Sequence, residues 1–413
     1  MISWFLAACA GEPTRTPQET SDSTTTGATQ TQAGALVLGA EVPVDDETLG
    51  TQHHATVATL ADRTVVAWDN GTGEGHWALA RPFHASGEAL GPSGGLSPVE
   101  IIARPAIIAG AETSTWISWA VDNELILLGQ YASTGTPIDD PRPVTDDATL
   151  DVEEAAQDLT ERTDGHIAVV WSAFRGLEQT DAVYRMLVFD PFEETLTPVL
   201  EFGDSPFGST PPAVAPLPDG GVVAAWVVFE EGQRRLVMGA WQEDRQPSWG
   251  PFDVATDHAH PGRPMLDATA GGLLALTTFE NQELAYTPHG ATLWMFDAFV
   301  DAPICSAPIG QGDSAEQPVA NFVGDDALLV VWAEGPDSLS GDIFAQLWNL
   351  DCQPTSDPVQ INEIDVDGHQ ERPSLSVSPD GSTAAITFES YRPAAAESDV
   401  FLRHMTLPPP EAP

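Results

Sequence analysis

The chain has 413 residues, with 62 Asp and Glu against 15 cationic side chains and a formal net charge of −47. Every one of those cations is arginine, and a surface this acidic repels phosphate backbones, so nucleic acid is excluded as a partner class. Hydrophobic residues nevertheless make up 42% of the chain, which supports a packed core and excludes general disorder. The acidity fits either solubility in a salty habitat or attraction of divalent cations or cationic partners.

Residues 1–9, MISWFLAAC, are too short to cross a bilayer, which takes about 20 apolar residues. An apolar run followed by small residues reads as the remnant of a secretory signal. Leu6-Ala7-Ala8-Cys9 resembles a bacterial lipobox, which implies that Cys9 is lipidated and becomes the first mature residue. No Lys or Arg precedes the run, so the reading expects the true start codon upstream of Met1. Residues 10–34 are mostly Thr, Ser, Gln, Gly and Pro, the composition of a disordered polar tether. Anchor, tether and folded domain together predict an exported protein at the bacterial envelope, membrane-bound through its lipid only. Ala10, where an inner-membrane retention signal would place Asp, favours the outer membrane.

From residue 35 onward one sentence recurs. Pro211 to Trp226, PPAVAPLPDGGVVAAW, is an apolar strand, an Asp-Gly turn and a second apolar strand ending in Trp. Aligned on that ending, the anchors are Trp68, Trp119, Trp171, Trp226, Thr277, Trp332 and Phe388, in steps of 51, 52, 55, 51, 55 and 56 residues. The turns carry Asp164-Gly165, Asp219-Gly220, Gly271-Gly272 or Asp380-Gly381, residues that accept the positive φ of tight hairpins. A third strand follows each anchor after a variable loop, as in VYRMLVF and IFAQLW, and then a fourth, as in PFDVA. Four short antiparallel strands repeated seven times predict an all-β, seven-bladed β-propeller over residues 35–407. A string of sandwich domains needs about 100 residues per unit, twice the observed period.

The last unit ends after its third strand at Leu407, and residues 408–413, PPEAP with a leading Pro, form a tail that cannot continue a sheet. Ala35 to Val44, ALVLGAEVPV, is an apolar strand without a unit of its own, so it is expected to close the ring as the missing fourth strand. Residues 372–390, RPSLSVSPDGSTAAITFES, resemble the propeller repeats of TolB-like proteins, and the other six units are similar to a repeat of large secreted bacterial proteins. That resemblance implies a binding or scaffold module for a protein or glycan, expected to act as a monomer, and carries over no catalytic residue.

The residue opening the first strand of each unit recurs around one end of the central channel: Arg104, Gln157, Arg263, Gln317 and Arg372, with Gln52 a looser member. Guanidiniums and amides around one opening predict a ligand site able to grip an anion, against the bland reading that they cap loops repeat by repeat. Sialidases also gather three arginines on a propeller, so a hydrolase or lyase at the channel mouth is the alternative function. Its nucleophile would have to be Tyr131, Tyr184, Tyr286 or Tyr391, and the Arg-Ile-Pro signature of sialidases is absent.

No cofactor is expected. His53-His54 and His258-Ala259-His260 lack a third ligand at fixed spacing. Residues 362–368, NEIDVDG, alternate acids as calcium loops do but stop short of the twelve-residue pattern. Cys305 and Cys352 lie just past the third strands of consecutive units, 47 residues apart, and an oxidising compartment would permit a disulfide between them. Growth with a clickable fatty acid should label the wild-type chain and leave a Cys9→Ser variant unlabelled; an unlabelled wild type refutes the anchor.

Overall fold

The computed structural model describes residues 35–409 apart from 46–50, 73–74, 97–104, 110–113, 122–124, 146–156, 176–180, 206–209, 231, 255–259, 281–289, 299–301, 312–313, 336–340, 364–367 and 393–396. The expected lipid site at Cys9, the tether and Arg104 therefore lie outside the described residues. Seven antiparallel sheets form a ring of seven blades, with no helix among the described residues. The innermost strand of each blade packs beside the innermost strand of the next, and that of the seventh beside that of the first.

Blade 4 shows the rule. Ala213–Pro216 pairs with Val222–Glu230 across the turn at Asp219, where Gly220 has φ 81° and the Asp219 carboxylate accepts the Gly221 N–H at 3.0 Å. An ideal Cβ at position 221 would sit 2.3 Å from the Trp241 carbonyl oxygen, so only glycine fits there. Gln233–Trp241 and Pro247–Asp253 complete the sheet. Blade 3 departs from four strands because its outer edge is divided: Thr195–Leu196 and Leu200–Ser205 both pair with Asp181–Asp190.

The second strands are apolar on both faces because each face meets another blade. Trp68, Trp119, Trp171, Trp226, Trp332 and Phe388 are all at most 1% exposed, and each packs against the preceding blade. In blade 5 the alternation puts Leu274 and Leu276 on that face, which places Thr278 there rather than Thr277. Thr277 points the other way, and its hydroxyl donates to the Pro318 carbonyl of blade 6 at 2.8 Å. Channel-facing side chains tie the blades as well: Asp158 accepts the Val214 N–H at 3.0 Å and Asp267 accepts the Phe322 N–H at 2.8 Å. Burial pushes both carboxyls above their ordinary pKa.

The ring closes through its first strand. Val37–Pro43 pairs antiparallel with Glu397–Thr406, giving blade 7 the order Val37–Pro43, Glu397–Thr406, Thr383–Arg392, His369–Val377. Arg403, 3% exposed, fastens that strand by donating from Nε to the Gly39 carbonyl at 3.0 Å while its other nitrogens hold the Ile361 carbonyl and Glu363. Blades 5 and 6 are joined by a disulfide between Cys305 and Cys352. The two cysteines are not at equivalent positions: Cys305 lies within the outer strand Pro303–Ile309 and Cys352 in the turn after Asp342–Asn349. That offset brings the Cα atoms to 5.9 Å, within the range a disulfide needs.

His404 sits at the closing seam, 5% exposed, with Nε2 2.9 Å from the Thr64 hydroxyl of blade 1 and no partner for Nδ1. Burial lowers its pKa from 6.5 to about 4. The folded chain therefore holds fewer protons here than the unfolded chain. The stability this gives is present above pH 6.5 and fades as the pH falls to about 4, by roughly 3 kcal/mol. Urea midpoints measured across that window should fall less steeply for His404→Gln than for the wild type; parallel curves would refute the assignment.

Candidate functional site

The innermost strands enclose a channel of about 320 Å³, and a pocket of about 240 Å³ lies at its mouth, sharing Thr56, Arg263, Met265 and Ser374 with the channel wall. Gln157, Arg263, Gln317 and Arg372 all line the mouth. Pro105, Pro211, Pro318 and Pro373 form apolar wall between them, with Phe279 at one side. Four of the five residues singled out in the sequence thus share one pocket; the fifth, Arg104, is outside the described residues.

Gln52 does not join them. It is 3% exposed, and its side chain accepts the Val400 N–H at 3.0 Å and donates to Asp45 at 3.3 Å, which ties blade 1 to blade 7. The residue blade 1 contributes to the mouth is His54, two positions on. His54, Gln317 and Arg372 have φ of 50°, 50° and 53°, in the left-handed region that non-glycine residues seldom adopt. Each lies where the pairing register of its strand shifts, between His53 and Thr56, Glu316 and Val319, and Glu371 and Ser374. The bulge also explains how Pro318 and Pro373 can lie inside strands, since the bulged residue needs no ladder N–H. Hydrophobic alternation alone does not show these bulges, so the sequence puts Gln317 and Arg372 at strand openings where the structure has them inside strands.

One buried carboxylate organises the arc. The Glu389 side chain is fully buried and lies 3.0 Å from His53 Nδ1 and 3.1 Å from an Arg372 guanidinium nitrogen, and it accepts the His54 N–H at 2.7 Å. Gln317 accepts the Arg372 N–H at 2.5 Å, and His54 Nδ1 lies 3.1 Å from Asp69. Left-handed strain of about 1–3 kcal/mol per residue persists only where the surroundings over-determine it, as these bonds do. The arginines are not a bare cationic ring: Arg372 is spent on Glu389 and approaches Glu371 at 4.0 Å, and the charge of Arg263 acts on Asp158. The mouth is therefore a mixed array of donors and acceptors between proline walls.

Just outside the arc, Glu316, Glu371 and His53 occupy the positions immediately before Gln317, Arg372 and His54. Burial raises the Glu316 pKa, whereas for Glu371 burial is outweighed by a hydrogen bond from His369 and by the Arg372 charge, and the pKa falls. His369 cannot accept a proton at Nδ1 without losing the Gly341 N–H it holds at 3.1 Å. Among the tyrosines, Tyr184 is buried, donates to the Val227 carbonyl at 2.7 Å and has its pKa pushed up to about 12 by burial. Tyr131 is 3% exposed and raised for the same reason, so neither is placed as a nucleophile at the mouth; Tyr286 lies outside the described residues.

Of the stretch 362–368, Asn362 is spent on Ile343, Asp342 and Gln370 and Glu363 on Arg403, while 364–367 lie outside the described residues. No cluster of three metal-binding side chains occurs among the described residues. His260 offers its backbone N–H to Glu280 at 2.9 Å; His258 is outside the description.

Fold and site define a seven-bladed propeller with a polar pocket at one end of its channel. No protein-family profile matches the chain. No curated protein matches it either. Solved structures do: the BP39L lectin from Burkholderia pseudomallei has a TM-score of 0.55 at 12% identity, covering 84% of this chain and 97% of its own. A protein of unknown function from Dyadobacter fermentans has a TM-score of 0.53 at 10% identity, with 90% and 99% covered. The polysaccharide lyase Uly1 has a TM-score of 0.52 at 8% identity, with 87% and 90% covered. At these identities the likeness is one of fold.

Hydrogen bonding to Glu389 raises the His53 pKa above 6.5 despite burial. The sign follows: this pair stabilises the fold below pH 6.5, and its contribution is lost as the pH rises through the raised value. An NMR titration should find His53 above 6.5 in the wild type and lower in Glu389→Gln; equal values would show that Glu389 does not govern the site.

Proposed function

We propose that the chain is a glycan-binding propeller module, displayed at the bacterial envelope through Cys9 and its tether, with its ligand site at the channel mouth. The observation that carries this reading is the arc of His54, Gln317 and Arg372, three strained residues of adjacent blades around one pocket, the first and last held by Glu389 and Gln317 tied to the Arg372 N–H. Strain held in place by surrounding bonds accumulates where side chains must be aimed. Mixed amides, imidazole and guanidinium between apolar walls suit sugar hydroxyls, which both donate and accept, better than a bare anion. Two solved structures of the same fold are a lectin and a polysaccharide lyase. The alternative is a hydrolase or lyase beside the same mouth, and its supporting observation is the pair of carboxyls Glu316 and Glu371, each one residue before a mouth residue in adjacent blades, with pKa values moved in opposite directions.

A glycan array should retain the wild-type protein on at least one neutral oligosaccharide. Gln317→Ala and Met265→Trp, the second filling the mouth, should each weaken that retention at least tenfold without changing the melting temperature of the ring by more than a few degrees. Wild-type and variant proteins that bind alike, or a wild type that binds nothing, would refute the mouth as a glycan site. Release of new chain ends from the bound glycan, lost in Glu371→Gln, would favour the enzyme.

A further inference from the structure

The residue that follows the anchor of each second strand is uncharged in five blades, as Ala120, Ser172, Val227, Thr278 and Ala333, and acidic in two, as Asp69 and Glu389. Both acids serve the mouth. Glu389 accepts the backbone N–H of His54 at 2.7 Å and also holds His53 and Arg372. Asp69, 3% exposed, takes the imidazole instead, with Oδ2 3.1 Å from His54 Nδ1. One carboxylate therefore fixes the backbone of the bulge, and the second is left to set the aim of the ring.

A carboxylate can only accept, so this contact puts the ring proton on Nδ1 and leaves the lone pair on Nε2. Nε2 makes no hydrogen bond among the described residues, and His54 lines the mouth pocket. The other Asp69 oxygen, Oδ1, is buried without a partner, a cost that bracing a loop does not require. A buried aspartate behind a histidine whose second nitrogen is unspent beside a cavity is the arrangement of a general base. Donors come from the neighbouring blades. The Gln317 amide oxygen is taken by the Arg372 N–H at 2.5 Å, so its NH2 group is left to donate, and the Arg372 side chain is 41% exposed.

We propose that His54, oriented by Asp69, makes the mouth an esterase that removes acetyl groups from the hydroxyls of a neutral sugar, an activity that rests on the mouth being a glycan site. The attacking oxygen is that of water, because neither hydroxyl of the pocket, Thr56 or Ser374, is bonded to His54. Water forms the new bond to the acyl carbon and gives a proton to Nε2, while the Gln317 amide and the Arg372 guanidinium meet the developing oxyanion. The C–O bond to the sugar then breaks, the sugar oxygen takes the proton from Nε2, and acetic acid leaves with the imidazole neutral again. Other bonds fit less well. A phosphoester would bring its charge against Asp69, Glu389 and Glu371. A glycosidic bond needs an acid on its leaving oxygen, which an unprotonated Nε2 does not supply. Pro318 and Pro373, buried beside the donors, give the acetyl methyl an apolar wall.

The test incubates the full-length protein with O-acetylated methyl glycosides of glucose, galactose, mannose and N-acetylglucosamine, and with 4-methylumbelliferyl acetate, and reads released acetate by NMR. The wild type should release acetate from at least one glycoside, and Met265→Trp, which fills the mouth, should not. His54→Gly suits the φ of 50° at that position and should lose roughly 100-fold or more in kcat, with added imidazole restoring release above the rate of imidazole alone. Asp69→Asn keeps the shape without the charge and should lower kcat with KM unchanged; it carries the test if His54→Gly fails to fold. The proposal falls if no glycoside loses acetate, if only 4-methylumbelliferyl acetate is hydrolysed, if Met265→Trp keeps the activity, or if either folded variant turns over like the wild type. A wild type retained on the glycan array that releases no acetate sinks the esterase alone, whereas one that neither binds nor releases sinks the glycan site with it.

Discussion

A sheet that is apolar on both faces must be covered on both faces, and in a ring of such sheets every blade depends on its two neighbours. Trp68, Trp119, Trp171, Trp226, Trp332 and Phe388 each bury their ring against the blade before, so losing one seam uncovers two faces. Truncating such a side chain typically costs about 3–5 kcal/mol. The requirement extends to the backbone, because a blade left with an open edge would expose unpaired N–H and C=O groups. Closure by Val37–Pro43 against Glu397–Thr406 answers both demands with one strand. The channel mouth inherits its rigidity from that closure, since its arc spans blades 6, 7 and 1 and so bridges the closing seam.

Much of this was legible in the sequence because it is written in alternation and turn chemistry. The period of the anchors, the Asp-Gly turns and the orphan strand ALVLGAEVPV all follow from hydrogen-bond and burial rules that act within a few residues. What could not be read depends on register. The displacement from Gln52 to His54 comes from a bulge, and a bulge changes which residue faces the mouth without changing the apolar pattern. Thr278 was missed for a related reason: once the bulky ring is gone, only pairing with the neighbouring strand shows which threonine faces backward. The cysteines were misplaced relative to each other because the outer strand of blade 5, PICSAPI, carries two prolines and reads as a turn. The one available signal for the strained arc was the recurrence of Arg-Pro and Gln-Pro, a residue pair that a regular central strand excludes.

The electrostatics of the mouth also differ from what residue types alone implied. A count of arginines predicts a positive opening, yet Glu389, Glu371 and Asp158 neutralise it from within. In a chain with a net charge of −47, guanidiniums at the mouth serve first to make buried carboxylates tolerable. They can then offer their remaining N–H groups to a neutral ligand. Repetition thus supplies the framework, and the mouth is shaped where repeats diverge, as His54 standing where other blades place Gln or Arg shows.

The closing strand has a mechanical consequence. Any pull on the chain upstream of Val37 enters the domain through the Val37–Pro43 ladder before it reaches another strand. Arg403 then behaves as a bolt, because its bond to Gly39 joins the loaded strand to the strand beside it, while its grip on Ile361 and Glu363 spreads the force to blade 6 and its exit loop. Tension at that end would load the Val37–Pro43 edge of blade 7 before any other blade.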